Sequence, residues 1–335
     1  MTEITPDIEP DFVPEFVFDK PMLGRVASGI FWMYRYLERA ENTARLLAAG
    51  HHMTLTRGAD EASQEWRSVL VTLGQSKAYT THNEGFSGAA VCDFVLRSKN
   101  NPESVLSMFE RARTNARECR SAITREVWEA VNEGWMSLRD LLARPVRQTN
   151  LNQVLAAIRR ESTLARGATH GSMLRNETYS FARAGTFLER ADNSARIIDV
   201  KYYLLLPSVA YVGTALDTGQ WDNVLRSLSA ERAFSWLNAG RMDARSIAEF
   251  LILDQRFPRS LAYCHSAMRE NLAALAGFHG REGRAHLAMQ ECDRRLAGKS
   301  VDDIFERGLH EFLIDFIGHN AAIASAISEE YRFVA

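Results

Sequence analysis

The sequence predicts an all-α protein, a helical bundle made of two diverged, pseudo-twofold-related helical repeats. Three observations predict this fold. The 335-residue chain holds only 8 prolines, and its long proline-free stretches are rich in Ala, Leu, Arg and Glu, which are strong helix formers. No segment shows the alternation of apolar and polar residues that is typical of a half-buried strand. A nine-residue segment also occurs twice, which indicates an internal repeat.

The repeated segment reads LERAENTAR at Leu37–Arg45 and LERADNSAR at Leu188–Arg196, with two conservative differences. Trp66 and Trp221 begin two further similar segments, WRSVLVTLG and WDNVLRSLS. More matches follow in the same order: Phe94, Pro102, Ser104, Arg113 and Asn115 correspond to Phe250, Pro258, Ser260, Arg269 and Asn271. Because order and spacing hold across most of both halves, we predict a duplication.

The expected helices follow the same order in both halves. The segment LERA lies on the first helix, at 29–47 and 179–203, and a short helix begins at each matched tryptophan. The next helix is expected at 91–98 and 247–254. A long helix then starts near each matched proline, which suits a first turn, and ends near 120 or 276. Of the remaining helices, one is expected to end near 144, and three are expected at 151–166, 280–296 and 302–329.

We divide the chain into three parts. Residues 1–20 form a disordered acidic N-terminal arm, 21–150 the first repeat, and 151–335 the second repeat with extra C-terminal helices; both repeats belong to one compact domain. The arm has neither the basic nor the apolar region of a signal peptide. The four cysteines have no C-x-x-C spacing, which favours reduced thiols and a cytoplasmic location.

Charge and motifs exclude several classes of function. A net charge of −2 argues against strong electrostatic binding to nucleic acid or anionic lipid. The two most apolar stretches, 202–216 and 312–327, are interrupted by Pro207 or by Asp315 and His319, so we expect no membrane span. No P-loop, dinucleotide fingerprint or nucleophile elbow is present. We therefore expect no cofactor.

A polar stripe runs along each LERA helix. Glu38, Asn42 and Arg45 fall within one narrow arc of the first helix, and Arg35 lies beside them. The second helix carries the same stripe, except that Thr186 replaces the arginine. Since both helices are apolar around most of their circumference, we expect them to be buried and their stripes to face a partner or a site.

Two interpretations of the stripes are open. In the first they form a structural network, with Glu38 bound by Arg45 or Arg39 and its counterpart by Arg196 or Arg190. In the second they line a shared cleft for an anionic or peptide-like ligand, which arginine and asparagine side chains would bind. The candidate catalytic residues are then Glu38 and Glu189. The candidate ligand-binding residues are Arg35, Arg39, Asn42, Arg45, Arg190, Asn193, Arg196 and Arg113.

Other polar groups are weaker candidates. Arg113 and Arg117 share one face of the long helix and Asn115 points elsewhere, which favours bonding between helices, although Arg113 could reach the cleft. The chain has no Glu-x-x-His pair of the kind found in helical di-metal sites. Two i,i+4 pairs, Glu306–His310 and Glu282–His286, are more typical of a solvated helix face. We therefore predict no metal site.

Three segments resemble the bacterial alpha-E domain family: MLGRVASGIFWMYRYLERAENTARLL, RTNARECRSAITREVWEAVN and MLRNETYSFARAGTFLERADNSARIIDV. The resemblance implies an all-helical cytoplasmic protein that accompanies a circularly permuted ATP-grasp ligase and a transglutaminase-like protease. These are the expected partners, in a system that makes, tags or trims a peptide. The family's named glutamates correspond to Glu38 and Glu189. Members often have an arginine where this chain has Thr186.

Three functions are compatible with these observations. The first is an accessory or binding component that acts with the ligase and the protease on a peptide ligand, and it fits the lack of a self-contained catalytic signature. The second is an enzyme that uses the paired Glu/Arg helices for peptide or amide chemistry. The third is a purely structural helical scaffold or homo-oligomer. Neither nucleic acid nor a membrane is an expected partner.

Overall fold

A computed structural model describes residues 22–55, 58–203, 215–238 and 242–333. Throughout these ranges the secondary structure is helical and contains no strand, which confirms the predicted fold class. The predicted acidic arm, 1–20, lies outside the described residues, as does most of the apolar stretch 202–216. No helix in the described ranges is both long and apolar enough to cross a bilayer.

The helices of the first half are α1 (Gly24–Thr54), α2 (Ala59–Thr72), α3 (Ser76–Thr80), α4 (Gly88–Arg97), α5 (Val105–Glu118), α6 (Arg125–Leu141) and α7 (Leu151–Ser172). A 3-10 turn, Arg120–Ala122, connects α5 to α6. The second half contains α8 (Glu177–Tyr203), α9 (Ala215–Leu228), α10 (Glu231–Asn238), α11 (Ala244–Ile252), α12 (Leu261–His279), α13 (Arg284–Leu296), α14 (Val301–Arg307) and α15 (Leu309–Glu330).

Several expected helix boundaries differ from the structure. Helices α2 and α9 begin six or seven residues before the matched tryptophans that were expected to start them. The prolines expected in the first turns of α5 and α12 precede those helices, because Ser104 and Ser260 are the N-caps. Each hydroxyl accepts a hydrogen bond from the backbone N–H three residues later, which satisfies a donor of the first turn. The single helix expected at 302–329 is divided at Gly308, whose φ of 103° is strained for other residues and ends α14.

Helices α1 and α8 lie against each other at the centre of the fold. A Cβ on Gly185 of α8 would lie 2.4 Å from the carbonyl oxygen of Phe31 on α1, so glycine permits this close approach of the two backbones. Helix α2 contacts α8 as well as α1, and α9 contacts α1 as well as α8. The second helix of each half thus packs on both central helices. The duplication itself stays a prediction.

The central helices are buried around most of their circumference, as their apolar character predicted. Helix α1 buries Ile30, Phe31 and Leu37 together with Glu38 and Asn42 of its stripe. Helix α5 packs on one side of α1 and α12 on one side of α8. Charged side chains enclosed in this way must find partners on neighbouring helices, since an unpaired buried charge is costly.

Candidate functional site

The two LERA segments exchange ion pairs across the contact between α1 and α8. Arg190 of α8 donates from Nε to Oε1 of Glu38 at 2.8 Å and from Nη2 to Oε2 at 2.9 Å. Arg39 of α1 donates from Nε to Oε1 of Glu189 at 2.6 Å and from Nη2 to Oε2 at 3.1 Å. The glutamate of each segment therefore binds the arginine of the other in a bidentate fork.

This pairing differs from the partners that the sequence suggested. The structural-network interpretation paired each glutamate with an arginine of its own helix, but both bind an arginine of the facing helix. Adjacent residues of a helix point about 100° apart, so Glu38 and Arg39 face different parts of their surroundings. They can both meet a second helix packed against them, which is what the close contact between α1 and α8 provides.

Around Glu38 lies a larger cluster, the Glu38 centre, which consists of Glu38, Glu41, Asn42, Arg45, Arg166, Arg190 and Arg259. Arg259, which precedes α12, donates from Nη1 to Glu38 Oε1 at 3.0 Å and to Asn42 Oδ1 at 2.7 Å. Its Nη2 donates to Glu41 Oε1 at 2.9 Å. One guanidinium thus joins three polar residues on the same face of α1.

Two further arginines complete the Glu38 centre from its outer side. Arg166 of α7 hydrogen-bonds Glu41, and its Nη1 lies 3.4 Å from Oε2 of Glu38. Arg45 donates from Nη2 to Glu41 Oε1 at 2.6 Å, one turn along α1. The side chains of Arg45 and Arg166 are 18% and 17% exposed, so solvent reaches this edge of the centre.

The second cluster, the Glu189 centre, is smaller and consists of Glu189, Arg35, Arg39 and Glu103. Arg35 donates from Nε to Glu189 Oε2 at 2.8 Å, and its guanidinium lies 4.5 Å from the centroid of the Trp32 ring. Arg39 bonds Glu103 through Nη1 at 2.5 Å in addition to Glu189. Within this cluster two carboxylates balance two guanidiniums, and Arg111 lies 3.9 Å from Glu103 at its exposed edge.

The two centres differ in charge. The Glu38 centre contains four guanidiniums and two carboxylates, which leaves a surplus of positive charge. The difference comes partly from one matched position, because Glu103 and Arg259 both lie between the matched proline and serine. The second half supplies a guanidinium where the first half supplies a carboxylate.

Both repeated glutamates are held in their ionised form. Burial by itself would raise the pKa of Glu38, but the charges of Arg190 and Arg259 outweigh it and keep this pKa well below its ordinary value. The pKa of Glu189 is lowered in the same way, since Arg39 and Arg35 overcome the effect of burial. Burial lowers the pKa of Arg259 to about 10, so this guanidinium stays charged at neutral pH.

This geometry is unfavourable for acid–base chemistry. Every carboxylate oxygen of Glu38 and Glu189 accepts at least one hydrogen bond from an arginine. A general base works best with a pKa near the working pH, and these two carboxylates have theirs far lower. What the arrangement does is hold two helices together and concentrate positive charge on one side of their contact.

The other predicted site residues are placed less centrally. Arg196 pairs with Asp192 at 2.7 Å near the surface, and Asn193 is half-buried without a side-chain hydrogen bond to the described members of either centre. Arg113 donates to Asn132 at 2.7 Å and stacks on Trp135, so it joins α5 to α6 and contacts neither centre. Of the eight ligand-binding candidates, the structure brings Arg35, Arg39, Asn42, Arg45 and Arg190 into the two centres.

The histidines considered as metal ligands have other contacts. His310 lies 2.5 Å from Asp199, and His286 lies 2.8 Å from the carbonyl oxygen of Leu272. Within the described ranges, no three His, Cys, Asp or Glu side chains are grouped so that they could hold a metal ion.

Sequence reasoning missed four members of the centres: Glu41, Glu103, Arg166 and Arg259. A signal existed for Glu103 and Arg259, since both lie between matched residues and carry opposite charge. Arg166 lies on α7, for which no matched segment was identified, so nothing local distinguished it from other helix arginines. Glu41 was visible in the repeat, but its role depends on Arg166 and Arg259.

Comparison with protein families identifies the chain. A family model named Alpha-E, described as a predicted alpha-helical domain with a conserved ER motif, matches residues 22–331. The chain belongs to this family. Two ER dipeptides lie in the LERA segments, Glu38–Arg39 and Glu189–Arg190, and their four side chains form the exchanged pairs.

The relatives do not add a function. An uncharacterized protein of Mycobacterium bovis and one of Mycobacterium tuberculosis are each 23% identical over 300 residues, which cover 84% of this chain. An uncharacterized protein from a second Mycobacterium tuberculosis strain is 22% identical over the same length. In all three the match spans 33% of the relative's length, so they are about three times as long as the matched region. No solved structure matches the chain.

Proposed function

We propose that this chain is an accessory, binding component of a bacterial peptide synthesis or modification system, acting in the cytoplasm with an ATP-grasp ligase and a transglutaminase-like protease. The observation that carries the proposal is the exchanged pairing, in which arginines bind every oxygen of Glu38 and Glu189. A chain whose repeated acids hold its two central helices together supplies a shaped, charged surface. The bond-making chemistry belongs to the ligase.

The positive surplus of the Glu38 centre supports an acidic ligand. Arg45 and Arg166 lie at the edge that solvent reaches. The centre as a whole contains four guanidiniums and only two carboxylates. Arg159 of α7 lies close enough to this edge that burial and the charge of Arg45 lower its pKa. A carboxylate of a bound peptide would relieve the repulsion among these arginines, and guanidinium groups suit such a ligand.

The partners in the proposal come from the resemblance to the alpha-E family. The length of the relatives is compatible with them, since in each mycobacterial protein the matched region accompanies about twice its own length of further chain. A domain that is joined to other polypeptide in its relatives is a reasonable candidate for a component that works beside an enzyme.

Co-expression with the ligase and the protease of the same bacterium tests the proposal. We expect the tagged chain to co-purify with the ligase, and peptide product to form only when the ligase is present. The double variant Arg45→Glu and Arg166→Glu should weaken peptide retention, whereas Arg125→Glu, at an exposed arginine of α6, should not. Failure to co-purify, or peptide turnover by the isolated chain, would contradict the proposal.

The same assay distinguishes the accessory role from the alternative that the chain is itself an enzyme. Turnover by the isolated chain that disappears in Glu38→Gln, with an unchanged melting temperature, would assign the chemistry to the LERA helices. Loss of folding in this variant together with normal ligase binding by the wild-type chain would favour the accessory role.

A further inference from the structure

A cavity of about 210 Å³ lies apart from both charged centres, between the C-terminal end of α1, helix α2, the first turn of α4 and the segment that leads into α7. Typical drug-sized sites start at about 300 Å³, so this cavity suits a smaller molecule. Its lining combines apolar groups with groups that can donate hydrogen bonds.

The apolar side is built around Trp66, which is 5% exposed. A Cβ on Gly88 would lie 2.6 Å from the indole Nε1, so this glycine lets the ring lie against the first turn of α4. Cys92 adds a wall of low polarity, because burial raises the pKa of its thiol to about 12 and keeps it protonated. These groups suit a flat or branched apolar body.

The same lining also presents hydrogen-bond donors. His51 is 5% exposed and lines the cavity, and its ring forms no hydrogen bond with the described part of the chain. Gly88 and Ala89 lie in the first turn of α4, where backbone N–H groups have no acceptor within the helix. The His51 ring can therefore bond to water or to a polar group of a molecule inside the cavity.

The charge around the cavity selects an anion. Arg147 lines the opening, is exposed, and has no ion-pair partner among the described residues. The described residues that line the cavity include no aspartate or glutamate. The partial positive charge at the N-terminus of α4 acts in the same direction as the guanidinium.

We infer that this cavity binds a small carboxylic acid with an aromatic-sized apolar body. The carboxylate lies against Arg147 and the amides of the first turn of α4, and the body lies against Trp66. This inference is independent of the proposed ligase partnership, because it depends on cavity residues that contact neither charged centre.

The test uses the full chain and two matched probes, 3-phenylpropanoate and its neutral amide, with binding followed by ligand-observed NMR and calorimetry. We expect the acid to bind with a Kd of about 1 mM or lower, as is usual for so few heavy atoms, and the amide to bind about tenfold more weakly. Arg147→Ala should weaken the acid about tenfold and leave the amide unchanged.

Two further variants keep the test specific. Arg144→Ala removes an exposed arginine of the same segment that does not line the cavity, and should leave binding of the acid unchanged. Ala89→Phe places a ring at the opening from an exposed position of α4 and should abolish binding of both probes. All three positions are exposed, so the melting temperature should stay near that of the wild type.

The inference is overturned if the acid does not bind at millimolar concentrations, or if the amide binds equally well. Equal effects of Arg144→Ala and Arg147→Ala would also overturn it, because they would indicate general attraction to positive charge. Binding that survives Ala89→Phe would place the probe somewhere else.

Discussion

The Glu38 and Glu189 centres contain the same exchanged Glu–Arg pair but surround it differently. Glu38 is 1% exposed and meets the guanidiniums of Arg190, Arg259 and Arg166. Glu189 is 4% exposed and meets Arg35 and Arg39, the latter of which also binds Glu103. The comparison indicates that the shared pair sets how α1 and α8 pack, while the neighbouring residues decide whether a centre is neutral or positively charged.

The largest expected effect is that of Glu38→Gln. This change leaves the buried guanidiniums of Arg190 and Arg259 without their shared carboxylate, and breaking a buried pair costs about 3–5 kcal/mol. Urea denaturation should report this loss in the free energy of unfolding. Glu129→Gln, which removes the partner of the exposed Arg125, is the matched control and should cost less than about 1 kcal/mol. Equal stability of the two variants would remove the structural role assigned to Glu38.

Glu189→Gln should be milder, at about 1–3 kcal/mol. Arg39 keeps its bond to Glu103, and Arg35 keeps its contact with the Trp32 ring, so neither guanidinium is left without a partner. The measurement is the same denaturation series, carried out side by side with Glu38→Gln. If Glu189→Gln proves the more destabilising of the two, the proposed difference between the centres is wrong.

Lowering the pH should reduce the free energy of unfolding through both centres. The pKa values of Glu38 and Glu189 in the folded chain lie below the ordinary value of 4.5, so their contribution is complete above pH 4.5. It is lost as pH falls from 4.5 through the lowered values, at about 1.4 kcal/mol per pH unit for each extra proton bound by the unfolded chain. Denaturation between neutral and acidic pH should show this fall. It should be shallower in Glu38→Gln, and an unchanged slope would argue that Glu38 titrates normally.

The smallest effect is expected for Asp192→Asn. Asp192 corresponds to Glu41, but among the described residues it pairs only with Arg196, one turn away near the surface, so its loss should cost less than about 1 kcal/mol. Glu41→Gln should cost clearly more, because Glu41 is fully buried and bonds Arg45, Arg166 and Arg259. Thermal melts of both variants measure the difference, and similar shifts would mean that the matched positions are equivalent after all.

Much of the fold followed from local patterns. The helices that carry LERA and the matched tryptophans, and those that follow the matched prolines, all exist near their predicted positions, because composition and periodicity act over a few turns. The errors were local as well. Gly308 interrupts a stretch that is apolar enough to read as one helix, and the serine caps shift the start of α5 and α12 past the prolines.

The sequence by itself determined that this protein is helical, that its two LERA helices are largely buried, and that each carries an acid beside an arginine. It did so because these properties depend on neighbours along one helix. Only the tertiary structure decided that each glutamate binds the arginine of the other segment, and that Arg166 and Arg259 join Glu38 from 128 and 221 positions away. The choice of an ion-pair partner depends on how helices cross and which side chains then lie within about 3 Å, and no local pattern encodes that distance.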